Sequence, residues 1–355
     1  MSNWKDNLRN ITPYVPGEQS KDTDIIKLNA NENPYPPSPA AVMAIEEFNA
    51  ASLRLYPPAD ATPLKAALAE YYGVQLENVF LGNGSDDVLA LAFQAFFNSD
   101  KPIVYPDITY SFYPVWCDLL KIPYKTYPLT EDFRVNLEDY RAENGGVVLP
   151  NPNAPTSIGE GEDFIRKLME YNQDSVVIID EAYVDFGGFS SVALTKEYEN
   201  LLVTGTFSKS RSLAGLRIGF AIGSKALISV LEAVKNSYNS YTVDALSIAA
   251  GIASVKDDAY FKATTARVMT TRNRMAKELR SLGFTVADSC TNFLFATHSD
   301  YSMKTLFQYL KTKKVFIRYF NLPRIDNHIR ITVGTDREAD IFLAEVRQFL
   351  KEKKQ

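Results

Sequence analysis

The sequence contains few of the residues that most often bind metals or act as nucleophiles. Its 355 residues include two cysteines and two histidines. Cys117 and Cys290 lie far apart in apolar surroundings, which predicts buried free thiols rather than a disulfide. His298 lies beside Asp300 in a predicted turn, and His328 follows Asp326 and Asn327 before a predicted strand. With so few histidines and cysteines, a zinc site or a Cys–His nucleophile has too few ligands. We therefore predict no metal site, and we expect a lysine or a bound cofactor to supply the chemistry.

Excess basic charge and long apolar runs are also missing. The 38 Lys and Arg residues are outnumbered by 43 Asp and Glu, for a net charge of −5, which argues against a general nucleic-acid surface. The longest apolar stretch, residues 88–97, is interrupted by Gln94 and is far too short to span a bilayer. The first 19 residues are polar and lack the apolar core of a secretion signal. We predict a cytoplasmic protein with small-molecule ligands and no nucleic-acid or membrane partner.

Short apolar strands alternate with helices through most of the chain. These strands are rich in β-branched residues and lack polar alternation, so both of their faces are predicted to be buried, as in a parallel sheet flanked by helices. Thr62 followed by Pro63 predicts a hydroxyl cap at one helix start. The fold class is therefore α/β, with a large domain built on a mostly parallel central sheet. The predicted strands are 78–81, 102–105, 146–149, 175–180 and 201–205.

The pattern changes in the last third of the chain. Residues 225–282 are mostly helical, and short strands with two further helices follow, which predicts a smaller α+β C-terminal domain. The proline-rich N-terminal segment suits neither a helix nor a central strand. We expect an arm over residues 1–40 that packs with the small domain or a dimer partner, a large domain over 41–240 and a small domain over 241–355.

Four candidate residues follow predicted strands, at the sheet edge where ligands bind in such folds. They are Ser85, Asn153, Asp180 and Lys209. Burying an ammonium is costly, and lysines at such positions form Schiff bases, although the strip around Lys209 taken alone is more typical of a surface loop. Asp180 ends a fully apolar strand and needs a cationic or donor partner. That partner is either Lys209, in a structural ion pair, or the protonated ring nitrogen of a bound pyridoxal phosphate.

A glycine-containing loop, Gly82–Asp87, joins a strand to the N-terminus of a helix. Amide donors and the helix dipole make such a junction a potential anion site. The third glycine of a dinucleotide-binding fingerprint is replaced by Asp87, which counts against a nucleotide-dependent oxidoreductase on the same kind of sheet. A ligand-sensing regulatory protein would need an appended DNA-binding module, for which we expect no room in 355 residues.

Motifs along nearly the whole chain resemble those of known enzymes. The segments similar to the fold-type-I pyridoxal-phosphate aminotransferases are Asn151–Thr156, Asp180–Tyr183, Ser208–Lys209 and Leu213–Arg217. More narrowly, the chain resembles the histidinol-phosphate aminotransferase family. The segments that carry this second resemblance are Ile11–Tyr14, Leu28–Asn33, Gly82–Asp86 and Ile329–Gly334.

The resemblance implies a pyridoxal 5′-phosphate cofactor and a role for each matching residue. Lys209 would form the Schiff base and, once released by substrate, carry a proton between substrate and cofactor. Asp180 would keep the ring nitrogen protonated, while Tyr183 and Asn153 would hold the phenolic oxygen. Tyr110 would stack on the ring, unless it is a plain core tyrosine. The residues implied to hold the phosphate are Ser85, Asp86, Thr206, Ser208 and Arg217.

The resemblance also implies a substrate pocket. Arg330 would bind the α-carboxylate of the amino-acid partner, and Arg318, which could otherwise be a surface charge, would bind the substrate phosphate. Tyr14 would close over the substrate, and Asn29 and Asn292 would line the pocket. The implied reaction is reversible amino transfer between histidinol phosphate plus 2-oxoglutarate and imidazole-acetol phosphate plus glutamate, a step of histidine biosynthesis.

A tyrosine implied to cross between subunits predicts a homodimer with shared sites. That residue is Tyr56, which would reach the cofactor phosphate of the neighbouring subunit. The sequence departs from the family pattern at Leu55, Ala154 and Ser157, where arginine, asparagine and glycine are usual. Two alternatives of the same fold stay open, an aromatic amino-acid aminotransferase and a threonine-phosphate decarboxylase, because the sequence does not show which substrate bond is oriented for cleavage.

Overall fold

The computed structural model describes residues 3–14, 18, 22 and 24–353. The α-helices are α1 (Pro39–Glu46), α2 (Thr62–Tyr72), α3 (Ser85–Phe96), α4 (Tyr113–Leu120), α5 (Glu162–Tyr171), α6 (Lys225–Tyr238), α7 (Ala245–Lys256), α8 (Asp258–Ser281), α9 (Met303–Thr312) and α10 (Asp336–Lys353). The strands are β1 (Ile26–Lys27), β2 (Val79–Asn83), β3 (Ile103–Pro106), β4 (Tyr124–Tyr127), β5 (Gly146–Pro150), β6 (Val177–Asp180), β7 (Leu201–Thr206), β8 (Ile218–Gly223), β9 (Phe284–Val286), β10 (Phe293–His298), β11 (Val315–Phe316), β12 (Arg318–Tyr319) and β13 (Ile329–Thr332). Across the described ranges, no helix has the combined length and apolar character needed to cross a bilayer.

A seven-stranded sheet forms the centre of the molecule, in the order β2-β8-β7-β6-β5-β3-β4. Strands β7, β6, β5, β3 and β4 are parallel to one another, whereas β8 is antiparallel to both β2 and β7. The predicted α/β fold with a mostly parallel sheet is therefore confirmed. Strand β8 escaped prediction because glycine is a poor strand former. Its Gly219 is required by close packing, since a Cβ there would lie 2.2 Å from the carbonyl carbon of Gly84.

The central strands are apolar on both faces because helices cover both. Val147 and Leu149 of β5 pack into a core with helices α2, α5 and α7, while Val148 between them packs with α3, α4 and α6. Full burial of each such side chain contributes roughly 1.5–3 kcal/mol.

The predicted hydroxyl cap is wrong: Ala61 occupies the cap position of α2, and Thr62 instead donates its hydroxyl to Asp60. An αL backbone at Ala61 makes this turn without a side-chain cap.

The second sheet is antiparallel, in the order β12-β13-β10-β9, and packs with α8, α9 and α10. The N-terminal segment joins this part of the molecule, because β1 pairs in parallel with β11 and Leu28 lies in the same core. Helix α7 belongs instead to the core of the large sheet, through Ile248 and Val255. The proposed limits at residues 40 and 240 stay predictions.

Both cysteines are free thiols, as predicted, but Cys290 is only half-buried.

Candidate active site

A cavity of about 320 Å³ opens beyond the carboxyl ends of β6 and β7, between the central sheet, the N-terminal segment and the small sheet. Its volume lies in the range of small-ligand pockets. Thirteen of the predicted site residues line it, namely Tyr14, Asn29, Ser85, Asp86, Tyr110, Asp180, Tyr183, Thr206, Ser208, Lys209, Arg217, Arg318 and Arg330. The structure thus brings together residues that are more than 300 positions apart in the chain.

Lys209 follows β7 and extends into the cavity. Its Nζ lies 5.8 Å from the ring centroid of Tyr183. Within the described part of the chain, no carboxylate lies within ion-pairing distance of this amine, so the alternative of a structural ion pair with Asp180 is not formed. The main chain at this position is held by Asn33, whose Nδ2 donates to the carbonyls of Lys209 at 3.0 Å and Ser210 at 3.1 Å. The amine is available while its backbone is fixed.

Asp180 lies at the end of β6 and is almost completely buried. Its Oδ2 accepts from the Tyr113 hydroxyl at 2.9 Å, and its Oδ1 accepts from the Ala182 amide at 3.3 Å and the Thr204 hydroxyl at 3.5 Å. Burial raises the pKa of Asp180 to about 6, although these donors oppose the shift. A cationic N–H from a ligand would compensate for the buried charge. Sequence reasoning missed Tyr113, because a buried tyrosine in an aromatic segment has no distinguishing pattern.

An anion cradle forms where the start of α3 meets the loop after β7. Arg217 donates through Nη1 to the Ser208 hydroxyl at 3.3 Å and through Nη2 to the Asp86 carboxylate at 3.5 Å. The Thr206 hydroxyl lies 3.0 Å from that of Ser208. Gly84 precedes the helix with φ +87°, and a Cβ there would lie 2.5 Å from Arg217 Nη2. Helix amides, hydroxyls and a guanidinium make a donor set that fits a phosphate dianion.

Aromatic side chains form one wall of the cavity. The Tyr110 hydroxyl donates to Asp86 at 2.8 Å, which ties this ring to the anion cradle. Tyr14 stacks on Phe112 with ring centroids 4.4 Å apart, and it lies 6.4 Å from the ring of Tyr110. The predicted position of Tyr110 beside the cofactor ring is compatible with this arrangement, and its stacking role stays a prediction.

Two arginines from the small sheet form the opposite end of the cavity. Arg318 and Arg330 are direct partners across β12 and β13. Arg330 Nη2 donates to the Asn29 carbonyl at 3.1 Å, but among the described residues its buried Nε has no acceptor, and the Asn29 Oδ1 has no donor. Burial lowers the pKa of Arg330, with the nearby guanidinium of Arg318 adding to the effect. Adjacent guanidiniums with an unpaired donor predict that this end binds an anion.

Three predicted site residues do not line the cavity. Asn153 is buried next to it, and both of its amide hydrogens are engaged, by the Ile108 carbonyl at 2.9 Å and the Thr156 hydroxyl at 2.8 Å. Asn292 is fully buried and donates to the Asn31 carbonyl at 2.9 Å. Tyr56 is 81% exposed and stacks on Tyr241 with centroids 4.5 Å apart. Exposure of this kind is compatible with a role in a neighbouring subunit, which stays a prediction.

Comparison with known proteins agrees with this fold and site. The model of the family aminotransferase class I and II matches residues 23–346. This span covers most of the chain and contains the cavity residues except Tyr14 and Glu18. The protein therefore belongs to the class I and II aminotransferases and is a transaminase of the fold-type-I class.

Among curated proteins, the histidinol-phosphate aminotransferase of Lactococcus lactis subsp. cremoris (strain MG1363) is 49% identical over 350 residues, covering 99% of this chain and 98% of that protein. Identity at this level over both full lengths shows the narrower family. The chain is a member of the histidinol-phosphate aminotransferases.

Two solved structures share the fold. The histidinol-phosphate aminotransferase of Sinorhizobium meliloti, in complex with pyridoxal-5′-phosphate, has a TM-score of 0.83 at 23% identity and covers 91% of each chain. The L-threonine-O-3-phosphate decarboxylase of Porphyromonas gingivalis has a TM-score of 0.80 at 23% identity, covering 92% of this chain and all of that one. The fold alone therefore does not separate the two reactions.

Proposed function

We propose that this enzyme binds pyridoxal 5′-phosphate and transfers an amino group reversibly between histidinol phosphate plus 2-oxoglutarate and imidazole-acetol phosphate plus glutamate. The observation that carries the proposal is the presence of Arg318 and Arg330, side by side, in the cavity that also contains Lys209. One substrate of the pair ends in a phosphate and the other in carboxylates, and the paired guanidiniums suit both. The full-length identity to proteins named for this activity supports the same substrate.

The side chains around the cavity fit the cofactor, and each would contact a different part of it. When bound, the cofactor supplies a ring that withdraws electrons from the substrate carbon as a proton leaves it. Lys209 would hold the cofactor and then move that proton, because its amine has no competing carboxylate partner in the described structure. Asp180 would accept a hydrogen bond from the ring nitrogen, and Arg217 with Ser208 would bind the phosphate.

We also propose a homodimer in which Tyr56 completes the site of the neighbouring subunit. The supporting observation is a group of exposed apolar side chains at Tyr56, where Leu53 and Leu55 precede it in the chain and Tyr241 stacks on its ring. Leu53, Leu55 and Tyr56 each have more than half of their surface exposed. A cytoplasmic location is part of the same proposal, since the reaction uses soluble metabolites.

A single-turnover experiment tests the proposal. Purified protein loaded with pyridoxal phosphate is mixed with histidinol phosphate, with histidinol or with phenylalanine, and the visible cofactor band is followed. We expect the fastest decay with histidinol phosphate, because only this donor carries the phosphate that the paired arginines bind. Decay only with phenylalanine would instead indicate an aromatic aminotransferase. Release of carbon dioxide from threonine phosphate would indicate the decarboxylase.

Arg318→Ala sharpens the test. This variant should lower kcat/KM for histidinol phosphate far more than for phenylalanine, since truncating one side of a buried charged contact costs roughly 2–5 kcal/mol. Equal losses for both donors would contradict a phosphate-binding role. Arg141→Ala, which removes a guanidinium from an exposed surface pair with Glu138, is the matched control and should change neither value.

A further inference from the structure

Asn31, in the N-terminal segment, joins both parts of the active site through its side chain and backbone. Its Nδ2 donates to the Tyr183 hydroxyl oxygen at 3.0 Å. Its backbone amide donates to the Thr332 hydroxyl at 3.0 Å, and its carbonyl accepts from Asn292 at 2.9 Å. The residue is 1% exposed and has a left-handed backbone, with φ of 56°. Asparagine is among the few residues that tolerate this conformation.

The orientation of the Asn31 carboxamide follows from Thr332. The Thr332 hydroxyl accepts from the Asn31 backbone amide, so its own hydrogen is available to donate to Asn31 Oδ1, which lies 3.1 Å away. With Oδ1 facing Thr332, this hydrogen has an acceptor, and the amide nitrogen then faces Tyr183. This assignment makes the Tyr183 oxygen an acceptor from Asn31.

The same contact determines where the hydroxyl hydrogen of Tyr183 can point. A phenol has one hydrogen to donate, and across the described residues the Tyr183 hydroxyl donates to no protein acceptor. Its ring packs edge-on against Phe293, with centroids 5.0 Å apart, and lines the cavity beside Lys209. The hydrogen is therefore directed into the cavity and away from the Asn31 nitrogen.

We propose that Asn31 is a positioning residue that presents the Tyr183 hydroxyl as a hydrogen-bond donor to the phenolic oxygen of the bound cofactor. The inference rests on the proposed cofactor. Of the two side chains predicted to contact this oxygen, Tyr183 is the one whose hydrogen has no protein acceptor in the described structure, since both amide hydrogens of Asn153 are bonded to Ile108 and Thr156. Donation from Asn31 also polarises the phenol, which strengthens the hydrogen bond it makes in turn.

The charge of the bound cofactor provides the readout. A hydrogen-bond donor at the phenolic oxygen of the cofactor stabilises the negative charge of that oxygen. The proton that this oxygen shares with the nitrogen joining Lys209 to the cofactor is therefore lost at lower pH. Other titratable or charged groups around Tyr183 are unchanged by substitution of Asn31 and act as a constant background. They are Lys209, Arg330, Tyr110, Tyr113 and, in the same cavity, Asp180. Weakening the Tyr183 donation should therefore raise the apparent pKa of the visible cofactor band.

The experiment compares pH titrations of the visible band in loaded wild type, Asn31→Gly and Asn31→Asp. Glycine keeps the left-handed backbone and deletes the amide donor. Aspartate keeps the acceptor for Thr332 and replaces the donor with an oxygen that attracts the Tyr183 hydrogen. We expect upward shifts of about 0.5–1 pKa unit, as for the loss of one hydrogen bond. The aspartate shift should be at least as large as that of glycine, because its charge acts in the same direction.

Combining Asn31→Gly with Tyr183→Phe tests whether Asn31 acts through the Tyr183 hydroxyl. If Asn31 acts through the phenol, Asn31→Gly should shift the band in wild type and leave it unmoved in Tyr183→Phe. Identical titrations of wild type and both Asn31 variants would overturn the proposal, and so would a glycine shift that persists without the phenol. Wild-type protein that forms no visible band with pyridoxal phosphate would refute the proposed function itself. A titrating wild-type band that the variants leave unchanged refutes only the role of Asn31.

Discussion

The two ends of the cavity differ in how completely their polar groups are satisfied. At the cofactor end, Asp180 accepts three hydrogen bonds, and Arg217 is paired with Ser208 and Asp86. At the substrate end, Arg330 Nε and Asn29 Oδ1 lack partners within the described structure. Unpaired buried polar groups cost free energy, and these two belong to residues that line the cavity, so they indicate a place that a ligand completes.

The ends also differ in origin. The cofactor end is built from loops that follow parallel strands of one sheet, so its residues are held by a continuous buried core. The substrate end combines the two-residue strand β12, strand β13 and the N-terminal segment. Changes at the cofactor end should therefore affect turnover and cofactor binding, and changes at the substrate end should affect discrimination between substrates. The predictions below test this division.

Lys209→Ala should have the largest effect. Removing the one amine proposed for both cofactor attachment and proton transfer should lower kcat by a factor on the order of 10⁴ or more. The intact anion cradle should still retain the cofactor. Stopped-flow turnover and the absorbance of retained cofactor after gel filtration measure the two effects. Lys27→Ala, at a second lysine that lines the cavity, should retain far more turnover because Lys27 pairs with Glu32. Comparable turnover in both variants would refute the assignment.

The cofactor end could be predicted from sequence to a large extent, because one rule of parallel sheets places strand-end residues together. Ser85, Asp180 and Lys209 were found in this way, and the structure confirms that they share a cavity. Their individual roles stay predictions. The contact of Asn31 with Tyr183 could not be found by this rule, since it joins residues 152 positions apart and depends on the path of the N-terminal segment.

Residues that only packing defines were also beyond prediction. Tyr113 contacts Asp180 from a helix, and nothing in its sequence surroundings separates it from other core aromatics. Strand β8 was missed because its glycines, which permit close approach to the loop at Gly84, weaken the strand pattern. At the substrate end, Arg318 and Arg330 were identified by resemblance, since an arginine at a strand end is otherwise most often a surface charge.

Arg330→Ala and Arg318→Ala compare the two anion-binding side chains of the substrate end. If Arg330 binds carboxylates, its removal should lower kcat/KM for glutamate by roughly 2–5 kcal/mol, or about 30-fold to several thousandfold. Arg318→Ala should penalise histidinol phosphate more than glutamate. Steady-state kinetics with each donor provide the four values. A common factor for both donors in both variants would mean that the arginines act as one undivided site.

Asp180 predicts a pH dependence of stability for the cofactor-free protein. Burial raises its pKa from 3.8 to about 6. At a pH between these two values, Asp180 is protonated in the folded state and ionised in the unfolded state. The free energy of unfolding therefore falls as pH rises through this window. The loss should approach about 3 kcal/mol relative to Asp180→Asn by neutral pH. Urea unfolding of both proteins at about pH 4 and pH 7 measures it.

Two features make this comparison specific. Glu181, whose pKa burial raises to about 8, contributes in the same direction but is present in both proteins. Added pyridoxal phosphate should reduce the difference, because a cationic ring nitrogen would stabilise the charged form of Asp180. If the free energy of unfolding changed equally with pH in cofactor-free wild type and Asp180→Asn, the prediction would be contradicted.

Ser157→Gly should have the smallest effect, and should stabilise the protein. Ser157 follows the loop after β5, has a left-handed backbone with φ of 67°, and its buried hydroxyl has no partner among the described residues. Glycine removes both the steric cost of this backbone conformation and the unpaired hydroxyl. Part of this stabilisation is offset because glycine increases the conformational entropy of the unfolded chain. We expect a net gain of about 1 kcal/mol in the free energy of unfolding.

Ser157→Ala separates the two contributions, since it removes the hydroxyl and keeps the strained Cβ. If backbone strain dominates, alanine should give little of the gain seen with glycine in denaturant unfolding; if the unpaired hydroxyl dominates, it should give most of it. The Ser157 carbonyl accepts from the Cys290 amide at 2.9 Å, so the loop contacts the small-domain side of the molecule. Destabilisation by glycine would show that this conformation is not strained, and that the cofactor end is built without a cost in stability at this loop.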